Sequence, residues 1–256
     1  MLLSAETSDV LAIWTLVVLA FAGLVWLIVL LSRSPFSPLQ SALYALIYVI
    51  TRLLWRTVIE NRFPIEARQG AVIVCNHRCP VDPAFILLGV PRVVHWMVAR
   101  EYYEYPGFHG LLQLCETIPV GRGGTDTAAT KVAMRYLKAK ELIGIFPEGR
   151  INTTGQTLLP GRPGAALIAL RSGAPIVPCC IEGSPYNGTT LGCLLMPAQV
   201  RVRFGTPIAT AELVGRQHDR EAVQKLTRQF LQAIAELAGD ADYQPKLAGR
   251  VYKPNA

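Results

Sequence analysis

The chain has 256 residues, a length that suits one substantial core with a small appendage and does not require two domains. Hydrophobic residues make up 51% of it and charged residues only 17%, which is too apolar for an ordinary soluble protein and favours association with a membrane. The net charge is +7, but no run of five basic residues occurs, so the composition indicates contact with anionic lipid or a phosphate-bearing substrate and no nucleic acid.

The first predicted element is a membrane-spanning helix over residues 10–31, "VLAIWTLVVLAFAGLVWLIVLL", a run without a charged side chain. As a helix it would be about 33 Å long, enough to cross a hydrocarbon core of about 30 Å. A cleaved signal peptide is the alternative, but Glu6 and Asp9 precede the run, no basic residue does, and no A-x-A-like cleavage site follows. The basic flank begins after the run, at Arg33, which predicts that the rest of the chain lies in the cytoplasm.

A second, amphipathic helix is predicted over residues 37–58, after a break rich in proline and serine at 32–38. Its apolar and basic residues recur at helical spacing, so it lies at the membrane interface or is partly inserted, and the sequence leaves both possibilities open. The predicted organisation is therefore a membrane-associating region, 1–62, followed by a catalytic domain, 63–256.

From residue 63 onward, short apolar runs alternate with helical patterns. The strands are predicted at 71–75, 92–98, 117–120, 142–146, 175–181 and 199–204, and the helices at 83–89, 107–115, 126–139, 163–171 and 219–238. This alternation predicts an α/β domain with a mostly parallel sheet flanked by helices. The alternating pattern of the last strand indicates one exposed face, so we expect that strand late in the sheet or at its edge.

The six cysteines form no C-x-x-C pair and lie mostly in apolar runs, which predicts buried thiols and indicates neither a zinc site nor a disulfide framework. Among the histidines, His95 lies within a predicted strand and is interpreted as a core histidine rather than a ligand.

The stretch "AVIVCNHRCPVDPAF", residues 71–85, places His77 just after a buried strand and Asp82 directly before Pro83. One interpretation is structural, with Asp82 as the N-cap of a helix that begins with proline. The other is catalytic, because sites in open α/β sheets form at the carboxyl ends of strands and a carboxylate can orient an imidazole. No G-x-S-x-G motif supplies a protein nucleophile, so a catalytic His77 would act on a nucleophile that the substrate provides.

Two further loops place an arginine among glycines after a predicted strand. In "TIPVGRGGTD" this is Arg122, and in "LIGIFPEGRINTTG" it is Arg150, preceded by Glu148 and Gly149. Guanidinium groups match phosphate oxygens and glycine lets a ligand approach the backbone, so both loops are candidate phosphate sites. Arg162 is a third, less specific candidate, and neither loop matches a nucleotide-binding motif.

The segments "NHRCPVD", "PVGRGG", "FPEGR" and "PIVP" resemble, in order and spacing, the four blocks of the glycerolipid acyltransferase family, and in particular its bacterial 1-acyl-glycerol-3-phosphate acyltransferases. The resemblance covers roughly residues 60–210. It implies that His77 is the general base and Asp82 its partner, and that segment 175–178 shapes the acyl site. It assigns substrate binding to the following residues: Asn76, Arg122, Glu148, Gly149, Arg150 and Arg162.

The same resemblance implies an acyl-CoA or acyl carrier protein donor, lysophosphatidic acid as acceptor, no metal or cofactor, and a place in the inner membrane with the catalytic domain on the cytoplasmic face. Three departures leave the acceptor head group open: Arg150 stands where threonine or serine is more common, a lysine-rich stretch is replaced by "LPGRPGAA", and the N-terminal spanning helix is an addition that only some members show. The alternatives are an acyltransferase for another lysolipid, a membrane-anchored hydrolase that uses the same histidine and aspartate, and a non-catalytic scaffold.

Overall fold

The computed structural model describes residues 10, 13–19, 21–22, 34–90, 92–121, 126–186, 188–189 and 192–249. The chain forms two compact units, Met1–Tyr44 and Ala45–Ala256. These units are defined by compactness, whereas the predicted boundary at 62/63 separates a membrane-associating region from a catalytic domain. That boundary stays a prediction.

In the first unit, residues 10, 13–19 and 21–22 are helical and exposed, and the other residues of the predicted spanning segment 10–31 lie outside the described residues. Within the part of the chain that is described, no helix has both the length and the apolar character needed to cross a bilayer. The spanning helix therefore stays a prediction.

Helix α1, Pro38–Leu53, confirms the amphipathic helix but ends before residue 58. Its start is a capping box: Ser37 N donates to Gln40 Oε1 (2.8 Å) and Gln40 N donates to Ser37 Oγ (3.3 Å). The helix ends early because Arg56 turns the chain at a φ of 38° and the next residues join the sheet.

The second unit is built on a sheet of seven strands, counted over the described residues, in the order β1-β7-β6-β2-β5-β3-β4. All neighbouring strands are parallel except β6 and β7, which are antiparallel. The strands are β1 (Val58–Ile59), β2 (Ala71–Cys75), β3 (Val94–Ala99), β4 (Ile118–Val120), β5 (Leu142–Ile145), β6 (Ile176–Glu182) and β7 (Arg201–Phe204).

Helices cover both faces of this sheet. They are α2 (Asp82–Leu87), α3 (Arg100–Tyr103), α4 (His109–Leu114), α5 (Thr127–Lys138), α6 (Gly164–Ser172) and α7 (Arg220–Leu237), with short 3₁₀ helices at Gly192–Leu195, Ala211–Leu213 and Arg216–His218. Side chains from α5, α6 and α7 pack with Val72 and Val74 on one face, while Ala71 and Ile73 point into a second core against Phe85 of α2. Because β2 is buried on both faces, its sequence is a continuous apolar run, as in central parallel strands.

Every predicted strand and helix of the catalytic domain is confirmed within two residues, and the fold is α/β with a mostly parallel sheet. The sequence pattern missed β1, which has only two residues, and α3, which has four. The last strand, β7, comes late but is not at the edge, because β1 pairs with it. Strand β6 continues through Pro178.

Candidate active site

The site begins where β2 ends, and Asn76 fixes that end. Its side-chain amide donates to Ile181 O (2.8 Å) and its carbonyl oxygen accepts from Ile181 N (2.8 Å), which extends the pairing of β2 with β6 by one side chain. Asn76 is buried, so both of its polar groups are used within the protein. These bonds place His77 at the carboxyl edge of the sheet. The predicted contact of Asn76 with substrate stays a prediction.

His77 and Asp82 meet directly. The distance from His77 Nδ1 to Asp82 Oδ2 is 3.0 Å, and Asp82 is fully buried while 17% of the His77 side chain is exposed. The same oxygen accepts backbone N–H bonds from Arg78 (2.6 Å) and Cys79 (2.8 Å), which suit an ionised carboxylate. Such a carboxylate accepts a hydrogen bond from Nδ1–H, and His77 Nε2 then keeps a lone pair that can take a proton.

The interpretation of Asp82 as a helix N-cap is wrong. Val81 occupies the cap position without a side-chain bond, and Asp82 is the first helical residue. Its carboxylate turns back to the loop 77–79 because two backbone N–H groups and an imidazole converge there. Pro83 still lies in the first turn, where its missing N–H costs nothing.

An aromatic stack holds the imidazole plane. The ring centroids of His77 and Phe146 are 4.0 Å apart, and those of Phe146 and Trp96 are 4.6 Å apart. In both pairs the ring planes are within 13° of parallel. Gly144 makes room for this stack, since a Cβ there would approach Trp96 Cε3 to 2.4 Å. Together with Asp82, the stack restricts both the tilt and the rotation of the histidine ring.

Glu148 ties the F-P-E-G-R loop to the histidine. Its Oε1 accepts from His77 N (2.8 Å) and its Oε2 accepts from Leu159 N (2.8 Å). The side chain is only 4% exposed, and burial raises its pKa to about 6 although the two backbone donors act in the opposite direction. Asn152 N also donates to His77 O (2.7 Å), so the main chain of His77 is held on both sides by the loop 148–152.

The predicted cationic residues are partly brought together. Arg162 lies across Gly149. Its backbone N–H donates to Pro147 O (2.8 Å), and its side chain passes so close that a Cβ placed on Gly149 would lie 2.9 Å from Arg162 Nε. Gly149 also has a φ of 69°, a conformation that favours glycine, and a side chain there would displace the Arg162 side chain. Arg150 follows in the same loop and is partly exposed, so one arginine belongs to the loop that carries Glu148 and a second, Arg162, lies against it.

Arg122 lies outside the described residues, but Gly121 and Asp126, on either side of the segment 122–125, are described. Gly121 N donates to Asp126 Oδ2 (2.9 Å), and Asp126 Oδ1 caps α5 by accepting from Ala129 N (2.9 Å). These backbone donors lower the pKa of Asp126, and Arg100 Nη2 lies 3.5 Å from its Oδ2. Asp126 is thus the N-cap of α5. The substrate roles of Arg122, Glu148, Gly149, Arg150 and Arg162 stay predictions.

Two residues of the site were not found from sequence. Arg78 Nη1 donates to Asn152 O (3.4 Å) and Thr154 O (3.0 Å), and Arg78 Nη2 donates to Gln156 O (2.8 Å) and Thr157 O (3.1 Å). Ser184 Oγ donates to Asp82 Oδ1 (2.7 Å). Arg78 lies within the segment "NHRCPVD", but nothing local indicates that its partners are backbone carbonyls of another loop. Ser184 lies in no motif.

The remaining candidate groups have structural partners. His95 is fully buried, with Nδ1 3.0 Å from Glu116 O and Nε2 bonded to the Glu141 carboxylate, which confirms it as a core histidine. Burial raises the pKa of the Cys75 and Cys79 thiols, so these neighbours of the site are poor nucleophiles. Among the described residues, no cluster of three histidine, cysteine, aspartate or glutamate side chains could hold a metal ion.

The fold is that of a solved acyltransferase. The chain superimposes on the crystal structure of the 1-acyl-sn-glycerophosphate acyltransferase PlsC from Thermotoga maritima with a TM-score of 0.58 at 20% identity, over 85% of this chain and 88% of the other. At that identity, the likeness defines the fold alone.

Sequence comparison gives the family. The family model described as Acyltransferase matches residues 56–182. A 1-acyl-sn-glycerol-3-phosphate acyltransferase of Bacillus subtilis is 28% identical over 195 residues, covering 76% of this chain and 94% of the relative. One of the coconut, Cocos nucifera, is 30% identical over 165 residues, covering 62% of this chain and 53% of the relative. The chain belongs to the acyltransferase family and is an O-acyltransferase by class.

Proposed function

We propose that the chain transfers a fatty acyl group from an acyl thioester, carried by CoA or acyl carrier protein, to the free hydroxyl of 1-acyl-glycerol-3-phosphate, producing phosphatidic acid. The observation that carries the proposal is the pair formed by His77 and Asp82, in which Nδ1 is bonded to a buried carboxylate while the histidine side chain is partly exposed. In this proposal Nε2, the other ring nitrogen, faces the substrate. The relatives named 1-acyl-sn-glycerol-3-phosphate acyltransferase support the choice of acceptor.

The reaction needs no protein nucleophile in this scheme. His77 Nε2 takes the proton of the lysophosphatidic acid hydroxyl, whose oxygen attacks the thioester carbonyl carbon. The resulting tetrahedral intermediate collapses as the C–S bond breaks, and the leaving thiolate takes the proton back from His77. Asp82 stabilises the imidazolium between these two proton transfers. Ser184 Oγ donates to Asp82 and is therefore not aligned as a nucleophile towards His77.

The arginines supply the charge that the acceptor requires. Arg150 and Arg162 lie at the loop that also holds the His77 main chain, so a phosphate bound there would lie beside the base. Guanidinium groups bind phosphate oxygens in a fork, and Gly149 has no side chain that would keep Arg162 away from the loop. The geometry thus supports an acceptor that carries a phosphate a short distance from its nucleophilic hydroxyl.

We further propose that the protein works at the cytoplasmic face of the inner membrane. Helix α1 supports this placement, because Leu46, Val49 and Leu53 of that helix are exposed and apolar while Arg52 lies among them. An exposed apolar stripe with a basic flank is typical of a helix at an anionic lipid surface. Donor thioesters are water-soluble in their carrier portion, so they would reach the site from the cytoplasm.

Product analysis tests both proposals. Membrane and soluble fractions of expressing cells are incubated with acyl-CoA or acyl carrier protein thioester, with and without lysophosphatidic acid, and with other lysolipids or glycerol phosphate in parallel. We expect phosphatidic acid from the membrane fraction only when lysophosphatidic acid is present. Free fatty acid as the sole product would identify a hydrolase, a different preferred acceptor would reassign the head group, and activity confined to the soluble fraction would contradict the membrane placement.

A further inference from the structure

Ser184 is joined to the His77–Asp82 pair by the end of β6. The strand ends at Glu182, the chain turns at Gly183, and Ser184 Oγ then donates to Asp82 Oδ1 at 2.7 Å. Asp82 is 102 positions away in sequence, so only the folding of β6 beside β2 brings the two side chains together.

Gly183 makes that turn possible. Its φ is 76°, a conformation that residues with a Cβ rarely adopt, and a Cβ there would lie 2.1 Å from Gln199 O. The backbone oxygen cannot withdraw in the way that a flexible side chain would. The position of Ser184 is therefore a consequence of a tight turn that only glycine allows.

The carboxylate of Asp82 uses its two oxygens differently. Oδ2 accepts from His77 Nδ1 and from the N–H groups of Arg78 and Cys79, whereas Oδ1 accepts from Ser184. Because Asp82 is fully buried, an Oδ1 without a donor would be a desolvated charged oxygen. Rotation of the carboxylate to find another donor would move Oδ2 away from the imidazole.

We propose that Ser184 is a positioning residue for the acyl-transfer reaction. This inference rests on the proposed function. Ser184 fixes the rotation of the Asp82 carboxylate, Asp82 in turn fixes the His77 ring, and the Nε2 lone pair thereby keeps its direction towards the acceptor hydroxyl. Ser184 itself contacts neither substrate nor the proton that moves.

The kinetic test compares Ser184→Ala with Ser184→Thr in the purified full chain. Hydrogen bonds to charged groups contribute enough that Ser184→Ala is expected to lower kcat by about 10- to 100-fold, with KM for lysophosphatidic acid unchanged. Ser184→Thr keeps a hydroxyl and is expected to retain most of kcat. Ser172→Ala is the matched control, because Ser172 Oγ bonds Ile168 O (2.9 Å) on α6, away from the pair, and it is expected to keep wild-type kcat.

A spectroscopic readout separates this inference from the proposed function. The Nδ1–H proton of a histidine bonded to a carboxylate gives a downfield NMR signal, which is assigned to His77 by its loss in His77→Ala. We expect the signal to be kept in Ser184→Thr and Ser172→Ala and to be shifted or lost in Ser184→Ala. If the wild type shows no acyl transfer, the proposed function fails while this signal still decides whether Ser184 sets the geometry of the pair.

The outcomes are distinct. A lower kcat together with a changed signal in Ser184→Ala, both restored in Ser184→Thr, supports the proposal. Wild-type kcat in Ser184→Ala overturns it, whatever the signal does. A lower kcat with an unchanged signal also overturns it, because the effect would then not pass through the His77–Asp82 pair.

Discussion

At the scale of single residues, Glu148 shows how a buried charge can serve main-chain geometry. Its two carboxylate oxygens accept N–H bonds from His77 and from Leu159, which belong to different loops. An ionised carboxylate satisfies both donors, whereas glutamine in its place would turn an NH₂ group towards one of them. The residue lies in the motif expected to bind substrate, but in this structure both carboxylate oxygens accept hydrogen bonds from the backbone of the site.

The raised pKa of Glu148 predicts a pH dependence of folding stability. Burial raises this pKa from 4.5 to about 6, so the folded protein binds the proton more tightly than the unfolded chain does. The stabilisation from that proton is fully present below pH 4.5 and is lost as pH rises through about 6, a change of about 2 kcal/mol. We expect the free energy of unfolding, measured with urea, to fall less across this window in Glu148→Gln than in the wild type.

The exposed residue Glu212 provides a matched control, since Glu212→Gln removes a carboxylate without touching the site. That variant is expected to keep the wild-type slope between pH 4.5 and about 6. Parallel curves for Glu148→Gln and the wild type would show that this carboxyl does not titrate in the way its burial implies.

At the scale of elements, Arg78 connects the two loops that make the site. Its guanidinium bonds four backbone carbonyls of residues 152–157, so the loop after β2 holds the loop after β5 in place. Lysine has no planar fork and cannot reach carbonyls on both sides at once. Arg78→Lys is therefore expected to raise the amide hydrogen exchange rate within 152–157 by at least about tenfold.

Arg92 offers the matched control for this exchange measurement. Its guanidinium also bonds backbone carbonyls, those of Glu66, Gln69 and Lys140, but it lies in another part of the fold. Arg92→Lys is expected to speed exchange near its own partners and to leave 152–157 protected. Unchanged exchange at 152–157 in Arg78→Lys would mean that other contacts hold the loop.

The elements that sequence predicted well are those with a local signal. The apolar run of β2 and the helical spacing of α7 are patterns of residues that are neighbours in sequence. The bounds of both elements were therefore predicted within two residues. The two-residue strand β1 exists only because β7 lies beside it, and no local pattern can indicate it. The end of α1 depends in the same way on a distant strand, which is why that helix was predicted too long.

At the scale of the whole molecule, the sheet order explains the site. Strands β2 and β5 are adjacent and parallel, so the loops that follow them meet at one edge, and β6 on the other side of β2 brings Ser184 to the same point. The sequence predicted which loops form the candidate site, because His77, Asp82 and Arg150 are recognisable residue types in recognisable motifs. It could not indicate that Glu148, Arg78 and Ser184 hold those loops, because their partners are 71 to 102 positions away.

The proposed reaction depends on His77 as the group that removes the proton from the acceptor hydroxyl. The most direct test measures phosphatidic acid formation by purified His77→Ala, with His218→Ala as the control because His218 is exposed on a 3₁₀ helix away from the pair. Loss of a general base predicts a fall in kcat of at least about 100-fold for His77→Ala, with the far-ultraviolet circular dichroism spectrum unchanged and full activity in His218→Ala. Wild-type turnover by a folded His77→Ala protein would contradict the account.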